Sequence, residues 1–179
     1  CSLLFLVPCV TLASAPKGAK EIKVPQAVYS PVFKDPGETD IVVGPLLVGE
    51  TAVTNREFLE FVKSHPEFQR SKVSALYAGK NYLAHWIDDT AYAKTEAEFP
   101  VTNVSWFAAR KYCASQGKRL PTIAEWEVLS DAQNPKLEAK ILEWYARPGA
   151  KLRAVGREPG NKFGVKDAHG LIWEWVDNY

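Results

Sequence analysis

Two hydroxyl-x-x-carboxylate signatures, Thr54-Asn55-Arg56-Glu57 and Thr122-Ile123-Ala124-Glu125, constrain this chain more than any other feature. Each reads as a capping box, in which the Thr hydroxyl accepts an unpaired N–H of the first helical turn. The Glu three residues on reaches back to the Thr N–H, so each box fixes where a helix begins. After the first box, Phe58, Phe61 and Val62 recur on one face, and Pro66 stops the helix. After the second, Trp126 and Leu129 are expected to face the core. Between the boxes, Ser105 caps a helix that turns Trp106, Ala109 and Cys113 inward, with Gly117 as its left-handed end. Asn134-Pro135 starts a fourth helix with Leu137, Ile141 and Leu142 on one stripe, ended by Arg147-Pro148-Gly149.

Strand signals flank these helices. Ile41-Val42-Val43 and Pro45-Leu46-Leu47-Val48 predict a strand pair interrupted by Gly44. From Leu152 onward, Gly156, Gly160, Gly164 and Gly170 mark loops that close into Ile172-Trp173-Glu174-Trp175-Val176, a strand with alternating faces. Residues 16–40 carry Lys17, Lys20, Lys23 and four prolines, and read as a solvated lead-in with one short strand near Ala27-Val28-Tyr29. Helices first and loops with strands afterwards indicate an α+β fold over residues 41–179. The chain has 179 residues, so it can bury a core without staples. Its 22 Lys and Arg balance 21 Asp and Glu, which argues against a dedicated nucleic-acid binder. With 12% aromatic residues, disorder is excluded as well.

At the start, an apolar run from Leu3 to Leu12 precedes Ala13-Ser14-Ala15, the pattern of a signal-peptide core too short to span a bilayer. Residues 1–15 are thus expected to be a partial signal peptide, cleaved after Ala13 or Ala15, and the protein periplasmic or secreted. The alternative is a buried N-terminal strand. Cys9 behind Leu6-Val7-Pro8 makes a poor lipoprotein box. At the other end, the sequence stops just after its most aromatic run, and truncation is expected there.

Several blocks resemble the formylglycine-generating enzyme, or sulfatase-modifying factor, family. They are Glu50-Thr51-Ala52-Val53-Thr54-Asn55, Phe99-Pro100-Val101-Thr102-Asn103-Val104-Ser105-Trp106, Tyr112-Cys113 and Gly117-Lys118-Arg119-Leu120-Pro121-Thr122. Glu125-Trp126-Glu127, Asn161-Lys162-Phe163-Gly164-Val165-Lys166-Asp167 and Gly170-Leu171-Ile172-Trp173-Glu174-Trp175 follow in order. The resemblance implies a C-type-lectin-like α+β fold with little regular structure. It covers a diverse family: oxidases that convert a sulfatase cysteine to formylglycine, iron-dependent sulfur-transfer enzymes, and accessory proteins of copper nitrite reductase. The stretch Asp167 to Trp175 is most similar to the accessory branch, with Leu171 standing where the oxidases carry Asn.

The resemblance also sets the candidate chemistry. Oxidase members bind copper through paired cysteines late in the domain, and a soft copper site needs two adjacent thiolates. Here the three cysteines are Cys1, Cys9 and Cys113, so copper is expected only with a further C-terminal cysteine pair, and no catalytic residue is assigned. Cys113 matches a family cysteine that pairs with a C-terminal one in some members; on its own residues it reads as a buried, inert thiol. The resemblance implies calcium near Glu174, with Asn161 and Asp167 as further oxygen donors, although Leu171 removes one donor from the set. Glu174 bonded to loop amides in the core is the alternative. His169, His85 and His65 read as structural residues, and no three-His arrangement supports iron.

Trp106, Trp126, Trp173 and Trp175 are expected to fill the core. Asn103-Val104-Ser105 is formally a glycosylation sequon, but Ser105 is better explained as a helix cap. Arg119 and Glu125 bracket the Pro121 turn as a candidate ion pair. The function expected first is an exported, non-oxidase accessory, maturation or binding factor for a client enzyme such as a copper nitrite reductase. The alternatives are a fragment of a copper-dependent oxidase, and a lectin-fold surface-binding module.

Overall fold

Both capping boxes form as the sequence predicts. In the computed structural model, which describes residues 9–11, 20–31, 34, 36–146 and 151–178, helix α1 spans Asn55–Ser64. The Glu57 N–H donates to Thr54 Oγ1 at 3.2 Å, and the Thr54 N–H donates to Glu57 Oε2 at 2.9 Å. Helix α2, Trp106–Ser115, starts on the Ser105 hydroxyl. It ends in a Schellman turn, with Gly117 at φ +69° and the Lys118 N–H on the Cys113 carbonyl at 2.9 Å. Helix α3, Ile123–Leu129, begins at the second box, and α4, Pro135–Tyr145, begins at Asn134. No helix among the described residues is long and apolar enough to cross a membrane.

The strands depart from expectation. β1 (Val10–Thr11), β2 (Glu21–Val24) and β5 (Leu46–Gly49) form an antiparallel sheet in the order β1-β5-β2, with Val10 and Ile22 both opposite Val48. β3 (Ala27–Tyr29) pairs instead with β4 (Ile41–Val43) in a second sheet. The two runs on either side of Gly44 therefore do not pair with each other. A two-residue Gly44-Pro45 link carries the chain from one sheet to the other instead of closing a hairpin. Residues 20–29 are correspondingly not a solvated lead-in. Val24 is fully buried while Lys23 beside it is exposed, so Lys23 sits on the wet side of an edge strand.

The stretch read as a leader contains a structural element. Val10 is fully buried, and its N–H and carbonyl both pair with Arg119, at 2.9 and 3.0 Å. Cys9 is joined to Cys113 by a disulfide, with Cα atoms 5.5 Å apart. Residues Cys9–Thr11 thus take the buried-strand arrangement; the rest of residues 1–15 lies outside the described residues. Cys113 is not a lone thiol. The Val10–Arg119 bridge carries Cys9 against the inner face of α2, a juxtaposition that no local pattern encodes.

Two apolar clusters make the core. One joins α1, α2, the 82–86 turn and Leu171-Ile172; the other joins the sheets to Val128, Leu129, Val165 and Ala168. The fully buried indole is Trp86, at 2% exposure. Its N–H donates at 2.8 Å to Oδ1 of buried Asn55, whose own amide donates to the Glu96 carbonyl. Trp106, Trp126, Trp173 and Trp175, expected inside, are half-buried or exposed. Two of them hold the last segment in place: Trp106 Nε1 donates to the Val176 carbonyl, and Trp175 Nε1 to that of Val104. The Asp177 N–H donates to the Pro121 carbonyl. Residues 172–176 form no strand among the described residues, contrary to the alternation in their sequence.

Two stability outcomes follow. Cys113→Ala opens a link between residues 104 apart in sequence, and should lower unfolding stability by about 3–4 kcal/mol in a urea titration. A Cβ on Gly160 would meet the Gly164 backbone at 2.8 Å, so Gly160→Ala should cost about 1–3 kcal/mol in the same assay.

Candidate functional site

Helix α4 supplies one wall of a cleft, and among its described side chains none is buried in the core. Its inner stripe is Leu137, Ile141 and Trp144, at steps of four and three. Leu142, expected on that stripe, is 60% exposed. Opposite stands α3, with Trp126 and Glu127, and the floor is formed by residues 168–176. The cleft encloses about 300 Å³. Trp144 packs on Trp173, ring centres 5.5 Å apart, and Trp173 is itself 39% exposed. A second hollow of about 310 Å³ lies beside the first, lined by Lys140, Glu158 and Asn161 among others. Ile141, Ala168 and His169 wall both.

Glu174 is the chemically distinctive group. Its carboxylate accepts the Trp126 indole N–H at 2.6 Å. Burial drives its pKa from 4.5 up to about 8; the indole bond opposes that rise and nearby Asp167 adds to it. Glu127, facing the same cleft, is also pushed up by burial. Among the described residues no ion pair reaches either carboxylate.

His169 stands edge-on to Trp126, with ring centres 5.4 Å apart. Its Nε2 lies 3.1 Å from the Ser130 carbonyl, which can only accept, so Nε2 carries the proton. Burial lowers the pKa of His169 and outweighs the Ser130 bond and the field of Asp131. The imidazole walls the cleft.

The three expected calcium donors go to separate tasks. Asn161 Oδ1 accepts the Phe163 and Val165 N–H groups at 3.0 and 3.2 Å, while its amide donates to the Leu129 carbonyl at 2.7 Å. It organises a turn. Asp167, buried and at φ +57°, accepts from Arg153 Nη1 at 2.8 Å and from the Gly156 N–H. Glu174 takes the indole instead of loop amides, and Leu171 is buried in the core. Calcium needs about six to eight converging oxygens. These residues, with their oxygens turned to protein donors, do not form such a cage. Among the described residues no group of three or more His, Cys, Asp or Glu is placed to hold a metal. Cys9 and Cys113 are joined to each other, so neither offers a thiolate for copper.

The other titratable candidates are structural. His85 Nε2 lies 3.4 Å from Asn55 Oδ1, its Nδ1 is buried without a partner, and burial lowers its pKa. His65 stacks on Phe61 at 4.7 Å. Arg119 and Glu125 form the expected pair, with two bonds of 2.6 Å. Burial pushes Glu125 up, but Arg119 and the Thr122 N–H prevail and hold it below its ordinary value. Glu127 and Trp144 were not singled out by the sequence. Trp144 was recoverable from the four-and-three spacing of α4, whereas nothing local marks Glu127.

Residues 14–179 match the model of the sulfatase-modifying factor enzyme 1-like domain. The chain belongs to this family. It is 33% identical to bovine inactive C-alpha-formylglycine-generating enzyme 2, over 76% of this chain and 61% of that protein. It is 28% identical to the formylglycine-generating enzyme of Streptomyces coelicolor, over 75% and 58%. A chlamydial serine/threonine-protein kinase pkn1, from Chlamydia caviae, is 29% identical over 71% of this chain and 22% of its own length. The chain therefore spans about three fifths of the formylglycine relatives and about a fifth of the kinase. Similarity to both an inactive and an active-named relative leaves the activity to be argued from the site.

The sign of the Glu174 shift gives a direct check on this sulfatase-modifying factor domain. A carboxyl raised from 4.5 to about 8 stabilises the fold most below pH 4.5, and that contribution is lost as pH rises through 8. Glu174→Gln keeps an acceptor for Trp126 and cannot ionise. Its Tm relative to the parent should climb steadily from pH 5 to pH 8.5 in thermal melts. A difference that stays flat with pH would show that Glu174 ionises freely in the folded state.

Proposed function

We propose that this domain is a non-oxidase member of its family, an exported accessory factor that binds or helps mature a partner protein. The observation carrying this reading is the fate of its cysteines. Cys9 and Cys113 spend their sulfurs on a structural link between β1 and α2, which leaves neither as a ligand for copper. A buried disulfide also suits an oxidising compartment, in line with a periplasmic or secreted location. Similarity to an inactive formylglycine-generating enzyme 2 supports a role without cysteine oxidation. The half-open cleft between α3 and α4 offers a binding surface in place of a catalytic one. The fold reading that goes with this is a C-type-lectin-like wrap, in which loops rather than strands build the recognition face. The likeness of Asp167 to Trp175 to the accessory branch makes a copper nitrite reductase the client to try first.

Incubating the protein with a Cys-x-Pro-x-Arg peptide and copper, followed by mass spectrometry, tests this reading against oxidase chemistry. The peptide cysteine should remain unconverted, while immobilised protein should retain its client through the cleft. Conversion of that cysteine to formylglycine would overturn the proposal.

A further inference from the structure

We propose that the cleft between α3, α4 and residues 168–176 is a site for an organic cation, an alkylated ammonium or a guanidinium head group. The inference rests on the reading of this cleft as a binding surface and names what it binds. Three indoles, Trp126, Trp144 and Trp173, line a single cavity of about 300 Å³. The face of an indole is the electron-rich side of an aromatic ring, and rings gathered around a cavity favour positive charge inside it. Two carboxylates, Glu127 and Glu174, line the same cavity. Among the described residues no Lys or Arg lines it; Lys140 belongs to the neighbouring hollow. The polar contact made by the Glu174 carboxylate is with an indole N–H, a neutral donor.

A carboxyl group out of water and without a counter-charge keeps its proton, and a cation beside it favours the ionised form. Elsewhere in this chain such groups are paired: Asp167 with Arg153 at 2.8 Å, Asp131 with Lys162 at 2.6 Å, and Glu125 with Arg119. Glu127 and Glu174 have no such ion pair among the described residues, and both line one aromatic cavity. An occupant that brings its own positive charge completes the pattern.

The kind of cation follows from the rest of the lining. A small, strongly hydrated metal ion demands oxygen donors in number, and this cavity offers two carboxylates among apolar walls. Ile123, Ile141 and Ile172 suit alkyl substituents, and indole faces suit a weakly hydrated, diffuse charge. A neutral apolar occupant would strip water from the carboxylates and return nothing to them. The head group can be carried by a free quaternary ammonium compound or by a basic side chain of a partner protein. The chemistry is shared, and the titration separates the two sources.

The experiment is a calorimetric and tryptophan-fluorescence titration of the whole chain with three probes. They are choline, its neutral isostere 3,3-dimethylbutan-1-ol, and N-acetyl-arginine methylamide. At least one cation should saturate, about tenfold or more tighter than the neutral alcohol. Trp144→Ala and Glu127→Gln, both at partly exposed positions, should each weaken that cation severalfold while circular dichroism stays unchanged. Tighter choline identifies a free ammonium compound as the source, and tighter arginine identifies a partner side chain; either supports the site. Equal binding of the alcohol, or a cation affinity that neither variant moves, overturns it. So does the absence of saturation by both cations. Each of these failures leaves the accessory role standing, because that role falls on conversion of the peptide cysteine.

Discussion

The link between Cys9 and Cys113 is the constraint on which the rest of this arrangement depends. It fixes a two-residue strand beside β5 and, through the Val10–Arg119 bridge, holds the backbone of Arg119 at the exit of α2. Arg119 in turn grips Glu125 with two short bonds. Glu125 is also the carboxylate that caps α3 through the Thr122 N–H. The direction of α3 is therefore tied, bond by bond, to the first strand. Trp126 and Glu127 follow Glu125 directly, so the same chain of contacts aims them at the cleft. A sulfur pair far from the cleft thus helps to set the geometry of its aromatic wall.

What was legible in the sequence was local. The hydroxyl and carboxylate of each capping box lie three residues apart, Gly117 ends α2 one turn from the residues it serves, and Asn134-Pro135 opens α4. Such features need no knowledge of the rest of the chain. Strand partners were not legible, because the Gly44-Pro45 link is compatible with a hairpin and with a crossing between sheets. The sulfur pairing and the edge position of Lys23 were hidden for the same reason, since both depend on contacts across many residues. The tryptophans misled through size. A large apolar ring predicts burial, but each indole also carries an N–H, and here Trp106, Trp126 and Trp175 give theirs to groups at the border of the core.

At the candidate site, the three residues that the resemblance implied for calcium are each engaged by protein donors. Asn161, Asp167 and Glu174 are all ordered by close polar contacts, as ligand residues would be. Their partners are a turn, a guanidinium and an indole. Once Leu171 occupies the core, the segment has no oxygen at that position, and the carboxylate of Glu174 turns to the nearest donor, Trp126. One apolar residue in place of a polar one is enough to explain why this segment is assembled around hydrogen bonds within the protein.

The polar groups of the cleft are likewise held by hydrogen bonds within the protein. A general base must have a free lone pair near the proton it takes, and a pKa close to the working pH. In His169 the Nε2–H is given to the Ser130 carbonyl, which leaves Nδ1 as the lone-pair nitrogen of the ring, and burial lowers its pKa. Glu174 has a raised pKa and gives one oxygen to the Trp126 indole. These groups shape and charge a cavity. Their rigidity comes from bonds to backbone and indole, and a fixed, preorganised wall lowers the ordering cost of binding. The shape of the cleft is set by where α3 is held, and its two carboxyl groups, Glu127 and Glu174, have no ion pair among the described residues.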